Sequence, residues 1–175
     1  MPICSTPELT AIVDHLMLVV DPKVSMGLRD LRYILVEKCT ALSNGNPAIY
    51  LNSLPAQKRV VGWVNNAKIG AIEAEQGNSI AVNQSAMADV PLFYGILLHE
   101  TAHAWLEKCK VTNSERNAYL FEIQWVYALA ALPNSNMATR MREGLDAYIA
   151  KRKAAFDAAS GVKEALQWTQ SRYKF

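Results

Sequence analysis

Cysteine is scarce and unpaired in this chain. Cys4, Cys39 and Cys109 are odd in number and widely spaced, with no Cys-x-x-Cys pair, so neither a disulfide framework nor a cysteine-ligated zinc site is expected. A one-sided charge is also missing. Lys and Arg number 18 against 16 Asp and Glu, a net +2, which argues against nucleic acid or a membrane surface as the main partner. The mild asymmetry that exists, eight basic against four acidic residues from Met137 onward, reads as a solvated helix face. No apolar run approaches the ~20 residues of a membrane span. The short run from Leu16 to Val20 lacks a basic leader and a small-residue cleavage site, so it does not read as a signal peptide. The expectation is a cytoplasmic protein with no membrane or nucleic-acid partner, with leaderless secretion as an effector left open. Internal repeats and low-complexity segments are absent too.

What remains is ordinary globular material. The chain has 175 residues, 51% hydrophobic and 19% charged, enough for one folded core and one domain over residues 1–175. Thr6-Pro7-Glu8 predicts a helix start, with Leu9, Ile12, Val13 and Leu16 at helical spacing and Asp21-Pro22 as its end. Leu28, Leu31, Ile34, Leu35 and Cys39 predict a second helix over 26–42. Residues 59–64, 68–73 and 79–83 read as short strands separated by turns, which suggests an antiparallel meander. Asp89 and Pro91 open a helix to about residue 109. Ser114 caps another over 115–132, and one or two more follow 133–136, with Gly161 as a break. Helices, a small antiparallel or mixed sheet and then helices make an α+β class.

The chemistry concentrates in Gly95-Ile-Leu-Leu-His-Glu-Thr-Ala-His-Ala-Trp105. On a helix, His99 and His103 lie one turn apart and share a face. Two imidazoles so placed suit Zn²⁺. Glu100 is rotated ~100° from His99, beside a bound metal, where a carboxylate can take a proton from water and return it to a leaving amine. His-Glu-x-x-His on a helix is a recognised zinc-protease pattern for these reasons. Gly95, one turn before His99, leaves space on the histidine face. The competing interpretation is a core helix whose histidines bond to backbone or carboxylates.

A catalytic zinc site usually takes three protein ligands and a water. His15 is the only other histidine and none follows His103, so an acid on the next helix is expected. The candidates are Glu122 and Glu115. If the first helix runs to about residue 109, it extends roughly 9 Å past His103 at ~1.5 Å per residue. An antiparallel return from Ser114 would then put Glu122 level with the histidines, and Glu115 would serve if that helix broke early. Tyr119, Tyr127, Tyr94 and His15 are candidate donors to an oxyanion. Ser79–Asn83 is the candidate edge strand for a substrate backbone.

His99-Glu100-x-x-His103 followed after eighteen residues by Glu122 matches the spacing of zinc aminopeptidases and resembles that of thermolysin. His103-Ala-Trp105 is similar to a His-x-Trp found among them. Glu115-Arg-Asn-Ala118-Tyr119 has the Glu-x-x-Ala form of many glutamate zincins, which Glu122-Ile-Gln-Trp125 lacks. Leu97 to Trp105 also resembles the SprT-like zincins, without their later histidine ligand. The resemblance, over residues 59–130, implies a minimal zincin-like fold: a small twisted sheet, an active-site helix and a glutamate helix. It implies Zn²⁺ on His99, His103 and Glu122, with Glu100 as general base. The implied activity is a zinc metallopeptidase acting on a peptide or protein, a bacterial toxin or effector protease among the possibilities. A non-catalytic zinc-binding or interaction module that retains this helix is the alternative.

Overall fold

The computed structural model describes residues 3–4, 6–36, 47–51, 59–63, 71–74 and 79–175. Its first helix, α1 (Pro7–Val19), starts as the sequence predicts. The Thr6 hydroxyl accepts from the Leu9 amide at 3.2 Å, and Pro7 occupies the first turn. Leu9, Val13 and Leu16 form its fully buried face.

The expected helix over 26–42 is not found. A short helix, α2 (Pro22–Gly27), is followed by a strand, β2 (Arg32–Val36), and residues 37–42 lie outside the described ones. Arg32-Tyr-Ile-Leu-Val is an apolar run rich in aromatic and β-branched residues, and such a run fits a buried strand as well as a helix. Tyr33 and Ile34 point to opposite faces and both are buried. This is the pattern of a strand covered on both sides.

β2 lies between β1 (Ile3–Cys4) and β6 (Ser79–Asn83) and runs parallel to both. β3 (Ala48–Leu51) pairs antiparallel with β6 and completes the order β1-β2-β6-β3. β4 (Arg59–Trp63) and β5 (Ala71–Ala74) form a separate antiparallel pair with a register shift between Val60 and Gly62. The expected meander is therefore corrected, because β6 leaves the β4–β5 pair and joins the other sheet. The expected edge strand is corrected as well. Ser79–Asn83 is internal, buried from Ser79 to Val82, and β3 forms the border of its sheet among the described residues.

The C-terminal half follows the sequence closely. Asp89 accepts from the Leu92 amide at 3.2 Å and caps α3 (Val90–Lys108). Ser114 caps α4 (Glu115–Ala130), and Ser135 caps α5 (Asn136–Ala158). Gly161, at φ 77°, makes the left-handed turn into α6 (Val162–Arg172). α3 packs on β3, β6, α4 and α5, and α4 also packs on α1 and α6. One apolar cluster from Leu9 to Val162 joins these elements. The architecture is α+β. Among the described residues, no helix is long and apolar enough to cross a membrane.

Candidate metal centre

α3 is anchored on the sheet beside its histidines. The Tyr33 hydroxyl of β2 meets Thr101 Oγ1 at 2.6 Å, and Thr101 in turn donates to the Leu97 carbonyl. Most of the helix from Phe93 to Leu106 is buried. His99 is almost fully buried and His103 is partly so.

The two Nε2 atoms of His99 and His103 lie 3.1 Å apart. Glu115 Oε2 is 3.1 Å from His99 Nε2, and Glu115 Oε1 is 3.1 Å from His103 Nε2. These donors form the single His/Cys/Asp/Glu group among the described residues that could hold a metal ion. Two imidazoles and a carboxylate are a donor set that Zn²⁺ takes, and these atoms lie close enough together to hold a metal ion. His103 Nδ1 donates to Asn113 Oδ1 at 2.6 Å, which leaves its Nε2 to face the group.

Glu115, the alternative third ligand, therefore stands with the histidine Nε2 atoms. Glu122, the favoured one, lies on the other side of the His99 ring, 2.9 Å from Nδ1. α3 ends at Lys108, close to the expected residue 109, and the difference lies in the turn that follows. Lys110 adopts φ 55°, its amide bonds back to Glu107 O, and that of Val111 bonds back to Leu106 O. This Schellman turn folds the loop back along α3, so Asn113 comes level with His103. α4 begins there rather than a helical turn and a half farther on. Glu115 then reaches the histidines from its first turn.

Glu100 extends beside the group, and its Oε2 accepts the Tyr50 amide of β3 at 2.7 Å. A small polar cleft of about 120 Å³ is lined by Pro47, Ala48, Ile96, His99, Glu100, Glu115, Tyr119 and Arg152. Of the four expected oxyanion donors, Tyr119 alone lines it. Its ring sits 4.5 Å from that of His99. Tyr94 is buried, Tyr127 stacks on Tyr173 and Phe175, and His15 contacts Ser135. Cys109 is exposed at the end of α3, outside the donor group.

The electrostatics follow the contacts. Burial opposes a charge on His99, but the carboxylates of Glu115 and Glu122 outweigh it and hold its pKa at about 9. His103 is also raised, burial being outweighed by Glu115 and Asn113. The same imidazoles, His103 first, hold the Glu115 carboxyl well below its ordinary value. Burial pushes the Glu100 carboxyl up, partly offset by His99, His103 and the Tyr50 amide.

Sequence reasoning missed Asn113, the Tyr50 amide, Tyr148 and Arg152. The last two come from α5, far along the chain, and the one local hint was Gly95. A Cβ there would overlap the Tyr148 ring and lie 2.9 Å from its hydroxyl, so the space Gly95 leaves is taken by Tyr148. No family model matches the chain, and no curated protein or solved structure shows a significant match to it.

Proposed function

We propose that the protein is a zinc-dependent metallopeptidase of zincin-like design, with His99, His103 and Glu115 as ligands and Glu100 as general base. The observation that carries this reading is the convergence of two Nε2 atoms and one carboxylate, which contacts each imidazole with a different oxygen at 3.1 Å, beside a helical glutamate. Zinc, when bound, supplies Lewis acidity that acidifies a water and polarises a carbonyl. Glu100 borders the same cleft, where a carboxylate can accept a proton from water and yield it to a leaving amine. Tyr119 is the candidate donor to the oxyanion. β3, the border strand whose Ala48 lines the cleft, takes over the role of backbone guide expected of Ser79–Asn83.

The test is Glu100→Gln in protein loaded with zinc. The variant is expected to keep its metal and to lose peptide hydrolysis by about 10²–10⁴-fold, the range for a general base. Unchanged hydrolysis would sink the assignment of the base. Wild-type protein that binds no zinc at micromolar concentration would sink the whole reading. A non-catalytic zinc-binding module has one observation in its favour, since Glu100 Oε2 is already engaged by the Tyr50 amide. Zinc binding without hydrolysis of any peptide or protein in a broad panel would favour it.

A further inference from the structure

We infer that Glu122, Arg152 and Tyr148 form a positioning device for His99, so that α5 is part of the metal site although no ligand comes from it. The inference rests on the zinc reading above.

Glu122 is fully buried, and its carboxylate accepts four hydrogen bonds. Oε2 takes His99 Nδ1–H at 2.9 Å and Arg152 Nη2–H at 2.6 Å, while Oε1 takes Arg152 Nε–H at 2.8 Å and the Tyr148 hydroxyl. An ionised carboxylate offers about four lone-pair sites, so Glu122 has none left for an ion. Its charge is balanced by Arg152 in a bidentate pair. Arg152 is itself held between aromatic rings, 5.4 Å from that of Tyr119 and 5.7 Å from that of Phe156.

Saturation has a consequence for His99. An ionised Glu122 can only accept, so His99 Nδ1 must carry the proton. The ring then has one free orientation for its Nε2 lone pair, toward His103 and Glu115. A carboxylate behind a ligating imidazole also makes it a stronger donor, and loss of such a partner typically costs 10–100-fold in metal affinity. The parts recur at helical spacing. Tyr148 and Arg152 are one turn apart on α5, and Gly95 and His99 are one turn apart on α3. Gly95 gives Tyr148 the room to reach Glu122.

The experiment measures Zn²⁺ affinity of the full chain by chelator competition for wild type, Glu122→Gln, Tyr148→Phe and Glu115→Gln, each checked for native near-UV dichroism. Long-range proton–nitrogen NMR reads the His99 tautomer in the zinc-loaded protein. The expected wild-type state carries the proton on Nδ1. Glu122→Gln should weaken zinc binding 10–100-fold and shift the Nδ1–H signal. Glu115→Gln should weaken binding more and keep that signal. Tyr148→Phe, which preserves the ring, should weaken binding less than tenfold and still shift the signal, so it serves if Glu122→Gln does not fold. Folded variants of Glu122 and Tyr148 that bind zinc as wild type does, with an unmoved signal, would overturn the inference alone. Zinc on His99 Nδ1, or a larger loss from Glu122→Gln than from Glu115→Gln, would also overturn it. A wild type that binds no zinc would overturn it together with the proposed function.

Discussion

Glu115 and Glu122 are the same residue type, two turns apart on one helix, and they meet one imidazole from opposite sides. Glu115 stands at the cleft with its side chain 66% exposed, while Glu122 has no exposure at all. Among the described residues Glu115 pairs with the two histidines alone, its oxygens 3.1 Å from their Nε2 atoms. Glu122 is enclosed by α5, which brings an arginine and a tyrosine to its oxygens. Residue type alone therefore does not separate the two acids, whereas the donors gathered around each do.

The sharpest way to break this comparison is to remove each carboxylate in the presence of chelator. Glu122→Ala leaves Arg152, a partly buried charge, without its partner and should cost about 3 kcal/mol in urea unfolding, the lower end of the range for a broken buried pair. Glu115→Ala removes an exposed acid from the first turn of α4 and should cost only about 0.3–1 kcal/mol. Equal losses would erase the distinction. Gly95→Ala tests the contact that supports the buried side. It must displace Tyr148, an overpacking cost of about 1–3 kcal/mol partly offset by the better helix propensity of alanine. A variant as stable as wild type would show that Tyr148 moves freely and is not held against Glu122.

The N-terminal end of α3, away from the histidines, should respond less than the enclosed Glu122. Asp89 caps it, and the hydrogen bond from Lys151 chiefly holds its pKa below the ordinary value. Asp89→Ala should cost about 1 kcal/mol at neutral pH. A depressed folded-state pKa gives stability that is present above the unfolded value, about 3.9, and is lost as pH falls through the folded one. The difference between variant and wild type should therefore shrink in chemical unfolding below about pH 4. A difference that stays constant down to pH 2 would show that the charge contributes nothing.

The same contrast between local and enclosed chemistry explains how much was legible. Thr6, Asp89, Ser114 and Ser135 each cap a helix by hydrogen bonds spanning three residues, so the starts of α1, α3, α4 and α5 could be read from nearest neighbours. His99 and His103 converge because a helix brings fourth neighbours together. Residues 32–36 gave no such local signal. They are a strand because β1 and β6 supply their hydrogen bonds, and β6 lies more than forty residues ahead in the chain. Ser79–Asn83 was recognisable as a strand, but its internal position depends on β2 and β3.

By itself, then, the sequence determined the α+β class, the C-terminal helices and the aim of two imidazoles and one glutamate along α3. These depend on interactions within a turn or two of helix, where residue spacing translates directly into geometry. Tertiary structure alone decided which carboxylate faces the histidine Nε2 atoms. That choice turned on a left-handed Lys110, which folds α4 back beside His103, and on α5, whose Arg152 and Tyr148, together with His99 Nδ1, occupy the lone pairs of Glu122. Both depend on where separate elements meet, and the spacing of residues along one helix carries no information about that.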